Sequence, residues 1–397
     1  MSSDPNWLWN FPASGWRRLS LLTAVCGLAI GLLLSGGCQD GASGPPELRI
    51  GHAPHDHHAA LFLAASAPDQ IRTADGVHLA EREFATRYDL VQDNRILAHL
   101  LIDSSTGGIG LIRRLAEDQL DLSFGGVPAM LDQIDQGMPI RILAPAMRDG
   151  AGLVVASELP VTNWSEFIAY AHTRKKPLRI GYKASLSVQN LVFEQQLADA
   201  GIPFSKTPET TDVQADVQVM LINLSGPQNL VPALDHGLID GFVSMQPYLA
   251  LAQSSGTGRL VALISGMEQK GAPGVAYPCC AIAARDAALA EHPALVEQFL
   301  ALMRIATERL IENPAAHAEI VARWLGTTPE LERQSLPTTA YVAEPDADWH
   351  QGMIDWIALL RGQGILDALL TQPLDANRLP ERIDPRAAVT EPEGRDP

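Results

Sequence analysis

Residues 178–202 read LRIGYKASLSVQNLVFEQQLADAGI: a short, mostly apolar run, a small polar loop, then an amphipathic run. The run at 178–182 has the length of a buried strand, and 188–200 has the spacing and length of a helix. Recurrence of such units at short, regular intervals is the signature of a layered α/β fold. Outward from this stretch, strands are expected at 48–52, 100–103, 120–124, 140–144, 152–156, 218–224 and 241–244. Helices are expected between them at 58–67, 108–117, 128–136, 164–172, 230–237 and 247–254. After Ala281 the pattern turns helical, with apolar residues at i, i+3 and i+4 over 293–312, 314–325 and 349–362, and with Pro293 and Pro314 at helix starts. The folded part, about 47–370, is too large for one ordinary core and predicts two lobes.

The first 38 residues predict an export signal. Arg17 and Arg18 precede a charge-free apolar run at 19–34, which is shorter than the ~20 residues a membrane span needs and ends in small residues before Cys38. The stretch LSGGC at 34–38 resembles a bacterial lipobox, with Ser35 where a leucine is usual. It predicts lipidation of Cys38 and a membrane-anchored lipoprotein in the periplasm or at the cell surface. Residues 39–46 read as a tether, and 371–397, rich in Pro, Arg, Glu and Asp, as a disordered tail. The net charge is −17, and loss of residues 1–38 removes Arg17, Arg18 and Asp4, moving it to −18. So acidic a chain excludes nucleic acid as a partner. Past Cys38 only the adjacent Cys279 and Cys280 remain, which is no disulfide framework. They read first as small thiols packed in a buried strand; a vicinal disulfide or a soft metal site are the alternatives.

Several expected strands end in small or polar residues just before a helix, where helix N-termini offer free N–H groups and a positive dipole end. In open α/β sheets ligands bind outside the carboxyl ends of the strands. The candidate ligand contacts are therefore His55, His57 and His58 after the first strand, Ser104 and Ser105 after the next, and Gly125 and Gly126. In the second half they are Lys183, Ser185, Ser187, Gln228 and Gln246. Ser, Thr, Asp and Gly are also favoured as helix caps, and it is the recurrence in both halves that argues for a cleft. His52, His55, His57 and His58 could ligate a borderline metal, but adjacent side chains at a strand end usually diverge. Hydrogen bonding to a ligand is the stronger reading, no metal or cofactor is expected, and Asp56 reads as a helix cap. Tyr182 and Tyr248 lie near cleft loops and could stack on a planar ligand, as could Trp164, with core packing the alternative. No Gly-x-Ser-x-Gly elbow, phosphate loop, His-Glu-x-x-His or Cys-x-x-Cys motif is present. Lys183 is the one lysine placed for a Schiff base, too little to predict an enzyme.

Five ordered segments carry a resemblance: LRIGHAPHDHHAALFLA (48–64), GGIGLIRRLAEDQLDLSFGGVPAMLDQIDQGMPIRILA (107–144), the stretch at 178–202, LINLSGPQNLVPALDHGLIDGFVSMQPYLA (221–250) and PCCAIAARDAALAEHPALVEQFLALM (278–303). Together they resemble the substrate-binding proteins of the nitrate, sulfonate, taurine and bicarbonate ABC importers. That superfamily also holds pyrimidine-precursor binders and synthases of thiamine biosynthesis. The resemblance implies a type II periplasmic binding protein fold: two α/β lobes, joined by two crossover segments, closing on a ligand cleft. Lobe I is expected at 47–148 and 245–370 and lobe II at 149–244. It implies a monomer that captures a small polar or anionic solute for a permease with a cytoplasmic ATPase. A thiamine-pyrimidine enzyme and a ligand-sensing lipoprotein are the rivals, and export counts against the first. On the family pattern His57 or His58, Ser105, Gly125, Gly126, Ser185 and Gln246 fall at contact positions. The sequence departs from that pattern at 76–95, which is long and charged, and at Lys183, where a small residue is common.

Overall fold

The computed structural model describes residues 44–104, 107–206, 217–267, 277–368, 370 and 379–385. The expected export signal, Cys38, most of the expected tether, Ser105 and most of the expected tail lie outside them. Residues 44 onward form one compact unit. Its first strands are β1 (Glu47–His52), β2 (His78–Glu83), β3 (Arg87–Gln92), β4 (Arg95–Ser104), β5 (Leu122–Gly126) and β6 (Ile140–Asp149). Then come β7 (Ala151–Ala156), β8 (Leu178–Tyr182), β9 (Phe204–Lys206), β10 (Val219–Asn223), β11 (Gly241–Met245) and β12 (Gly258–Leu263). Last are β13 (Pro278–Arg285) and β14 (Thr339–Tyr341).

Two sheets result. The first runs β14-β6-β13-β5-β1-β4-β3-β2 and the second β12-β7-β11-β8-β10-β9. Each has a parallel heart, β4-β1-β5 in one and β11-β8-β10-β9 in the other, flanked by antiparallel strands. The central strands β1, β5, β8 and β11 are largely buried on both faces, which is why they read as short apolar runs, while β4, β9 and β10 are more exposed. The charged stretch at 76–95 becomes the antiparallel strands β2 and β3, which extend the first sheet outward from β4.

The chain leaves the first sheet where β6 meets β7, turning at Asp149 and Gly150, whose φ angles are 54° and 68°. It returns between β12 and β13. The expected boundary after residue 244 is not where sheet membership changes, because β12 pairs antiparallel with β7 in the second sheet. The C-terminal helices Pro293–Glu312 and Ala347–Gly362 pack on the first sheet's side. Trp356 in the latter is fully buried and donates from Nε1 to the Pro278 carbonyl at 2.8 Å, pinning the start of β13. Residues 379–385 correct the expected tail: Leu379 and Ile383 are buried, and the Ile142 N–H donates to the Arg382 carbonyl.

Candidate functional site

A cavity of about 450 Å³ opens where the carboxyl ends of the parallel strands of both sheets meet. The first sheet brings His55, His57 and His58 from the loop after β1, Gly107 and Gly108 from beyond β4, and Gly126 from the end of β5. The second brings Lys183, Ser185 and Ser187 from after β8, and Asn223 and Ser225 from β10 and the turn beyond it. Cys279 and Cys280 of β13 complete the wall. Three helices of nine to twelve residues start here, capped by Gly107, Gly126 and Ser187, so their positive ends face the space.

The loop after β1 is folded inward: His52, His55, Asp56, His57 and His58 are all nearly or fully buried. Burial pushes His52 down to about 3, and burial likewise lowers His55 and His58, so these imidazoles are neutral. His58 Nδ1 accepts from the Ala53 N–H at 2.9 Å, so its proton sits on Nε2. His57 Nε2 lies 3.1 Å from the Gly150 carbonyl, which can only accept; Nε2 therefore carries the proton and Nδ1 keeps its lone pair. That lone pair faces both thiols, with Nδ1 3.5 Å from Cys279 Sγ and 3.8 Å from Cys280 Sγ. The hydrogen bond with Cys279 draws the Cys280 thiol well below its usual range against the opposing effect of burial, while Cys279 is pushed up. Lys183 lines the same cavity, its Nζ 3.6 Å from Met245 Sδ, and burial lowers its pKa against the pull of the two cysteines.

Asp56 does not cap the helix Ala59–Ser66; both its oxygens lack partners, and burial beside Glu332 raises its pKa well above the carboxylate range.

Of the expected contacts, His55, His57, His58, Gly125, Gly126, Lys183, Ser185 and Ser187 line the cavity. Within that set, Gly125 is needed for packing, since a Cβ there would lie 2.6 Å from Ile112 Cδ1. The Ser187 hydroxyl is already committed to the Ala184 carbonyl at 2.7 Å. Ser104 ends β4 facing solvent, and Ser105 lies outside the described residues. Gln228 is exposed and folded over Gly226 rather than inward. Gln246 is buried for another purpose, donating to Thr338 Oγ1 and accepting from the Ala250 N–H. Trp164 stacks in the core on Phe167, away from the cavity. The cysteines, first read as packing, are the wall residues that sequence reasoning missed. Their signal was chemical: two thiols in a chain otherwise without them past residue 38.

The model of the NMT1-like family matches residues 41–326. A stretch of 129 residues is 29% identical to an uncharacterised protein of Methanocaldococcus jannaschii, covering 32% of this chain and 88% of that one. Among solved structures, a ligand-binding component of an ABC-type import system from Staphylococcus aureus, with zinc bound, superposes with a TM-score of 0.62 at 14% identity, over 82% of this chain and 94% of that one. The alkanesulfonate-binding protein of Xanthomonas axonopodis pv. citri, bound to MOPS, gives 0.57 at 16% over 81% and 95%. The nitrate-binding protein of Synechocystis gives 0.58 at 13% over 82% and 83%. At such identities the likeness establishes the fold, and the two-sheet α/β architecture expected from the sequence is that of periplasmic binding proteins.

Proposed function

Because this chain belongs to the NMT1-like family, we propose that it is the extracytoplasmic solute-binding component of an ABC importer. The observation that carries this reading is the position of the cavity: both sheets wall it, and among the described strands the chain passes from one sheet to the other twice. A solute held there favours the state in which both walls touch it, and the closed form is what a permease with its ATPase would recognise. On this reading the first sheet with the C-terminal helices forms one lobe and β7 to β12 the other. Cys38 anchors the chain by lipid on the outer side of a membrane, and the chain works as a monomer.

The solute is small and polar or anionic, of the sulfonate or nitrate class. Three helix N-termini and Lys183 support a negative or acceptor-rich ligand, with His55 and Ser185 as neutral partners. The test is to identify by mass spectrometry the small molecule that co-purifies with the full chain, then to titrate it back calorimetrically. One solute per chain, released unchanged after denaturation, is the expected result. Turnover of that solute would overturn the reading in favour of an enzyme.

A further inference from the structure

Adjacent residues on a regular strand point to opposite faces, so Cys279 and Cys280 should not share a target. They do, because β13 is bulged between them. Pro278 pairs with Arg148 and Cys280 with the next residue, Met147, leaving Cys279 as the extra residue on its strand. Bulges of this kind re-aim side chains beside functional sites. The bulge is held from behind: Trp356 binds the Pro278 carbonyl, and Gly352 of the same helix packs so close to Pro278 that a Cβ would lie 2.3 Å from its ring.

We propose that His57, Cys279 and Cys280 form a three-ligand site for a borderline-soft divalent ion of the Zn²⁺ type, with its fourth position open to the cavity. The three donor atoms lie within 4.8 Å of one another and all belong to buried residues. A tetrahedral zinc with ordinary Zn–S and Zn–N bonds requires S···S of about 3.8 Å and S···N of about 3.6 Å. The observed separations are 4.0 Å for the sulfurs and 3.5 and 3.8 Å from His57 Nδ1. Closing the site therefore needs shifts of a few tenths of an ångström. The tautomer is set as well, because His57 gives its Nε2 proton to the Gly150 carbonyl and leaves Nδ1 for the metal, the usual outer partnership of a metal-bound histidine. His58, whose Nδ1 is taken by the Ala53 N–H and whose Nε2 carries the proton, has no lone pair to offer as a fourth ligand.

Charge closes the argument. Two thiolates neutralise the ion, and the thiol protons leave to solvent on binding. Any anion taking the fourth position would then be unbalanced, and Lys183, which lines the same cavity, supplies the compensating charge. This last step rests on the solute-binding reading; the metal site does not, and its test uses metal alone.

The reduced, chelator-treated full chain is titrated with Co²⁺. One equivalent should raise a thiolate-to-cobalt charge-transfer band and the strong visible bands of a four-coordinate ion, both erased by one equivalent of Zn²⁺. Cys280→Ser and His57→Ala should each weaken Zn²⁺ binding by more than ~100-fold, beyond what loss of an outer partner costs. His55→Ala should leave the charge-transfer band in place. Absence of the band in the wild-type chain with Cys279 and Cys280 shown to be reduced overturns the proposal whatever the variants do. A band that survives intact in folded Cys280→Ser overturns it as well. Solute binding without any cobalt band would leave the transport reading standing and remove this one.

Discussion

The two sheets start their parallel hearts with the same four residues and finish them differently. β1 opens Leu48-Arg49-Ile50-Gly51 and β8 opens Leu178-Arg179-Ile180-Gly181. Each arginine is clasped by the aspartate that precedes a neighbouring strand, Asp121 before β5 and Asp240 before β11, through matching bonds. The arginine's own N–H and its Nε both donate to Oδ2, and a terminal nitrogen donates to Oδ1. The aspartate N–H returns a bond to the arginine carbonyl in both. Divergence begins one residue later, with His52 and the buried histidine loop on one side and Tyr182, Lys183 and two serines on the other. The shared part builds the foundation and the unshared part builds the site. All three proposed metal ligands ride on the first sheet, whereas the cation comes from the second, so closure would bring Lys183 to a site the first lobe already holds.

The sharpest way to break this equivalence is to remove the clasps. Asp121 is 4% exposed and is also held by Arg285 through Nε and NH2; Asp240 is 27% exposed, with Arg179 as its ion-pair partner among the described residues. Asp121→Ala takes the shared carboxylate from Arg49 and Arg285, which are 34% and 16% exposed, and should cost ~2–3 kcal/mol. Asp240→Ala, partly screened, should cost ~1–2 kcal/mol by denaturant melting. Burial opposes ionisation in both carboxyls, but the arginine bonds win and hold both below the ordinary carboxylate range. A depressed folded pKa means the stabilisation is complete above about pH 5 and is lost as pH falls through the folded value. Asp121→Ala should therefore flatten the acid limb of the stability–pH curve more than Asp240→Ala. Equal flattening would mean the two clasps are equivalent after all.

A second contrast sets the two loops against each other. Lys183 is the cavity's cation, and no described carboxylate pairs with it. For an anionic solute Lys183→Ala should lower affinity ten- to a hundredfold, the loss of a charge-assisted contact of ~1.5–3 kcal/mol. His55, whose buried Nδ1 has no partner, offers the first loop's neutral contact, and His55→Ala should cost only ~1 kcal/mol. Calorimetric titration with the co-purified solute reads both. An inverted order would give the solute to the first loop and make it neutral.

Much of this was legible beforehand, and the reasons differ from place to place. The strand Leu178–Tyr182 and the helix Pro293–Glu312 have the bounds that periodicity assigns, because each is long or apolar enough to override its flanks. β2 and β3 were not legible: HLAERE and RYDLVQ are charged hairpin strands far from the double-covered heart of the sheet, with little apolar signal. β12, reading GRLVAL, is short and only partly buried, and no strand is expected there from the sequence. The rule that ligands gather at strand ends located the cavity loops, but not which side chains turn inward. Gln246 is drawn away by Thr338, 92 residues distant, and nothing local announces that. The cysteines do pack in a buried strand, as read; what alternation does not announce is that one extra residue at Cys279 turns both thiols toward His57. The repeated Leu-Arg-Ile-Gly is visible in the sequence at 48–51 and 178–181, but the aspartates that give it meaning lie 72 and 61 residues away from the arginines.

The smallest expected effect tests whether the two glycines of that repeat have the same task. A Cβ on Gly51 would lie 2.6 Å from Leu120 Cδ1 and 2.9 Å from Ser123 Oγ; on Gly181 it would lie 2.9 Å from Ile239 Cδ1 and 3.1 Å from Leu224 Cδ1. Leu120 and Ile239 each immediately precede a clasping aspartate, so the same packing recurs with a few tenths of an ångström more room in the second sheet. Overpacking a core costs ~1–3 kcal/mol, while Gly→Ala at a compatible backbone returns ~0.4–1 kcal/mol by restricting the unfolded chain. Neither glycine has a positive φ, so the entropic gain is available at both. At Gly51 the clash should win, leaving Gly51→Ala ~1–2 kcal/mol less stable. At Gly181 the two effects nearly cancel, leaving Gly181→Ala within ~0.5 kcal/mol of the parent by thermal melting. If crowding against Leu120 is the cause, Leu120→Val should cost less in the Gly51→Ala background than in the parent, a coupling that a double-mutant cycle reads directly. Additive costs would show that Gly51 answers to some other constraint of β1, and the parallel between the two strands would then stop at the arginines.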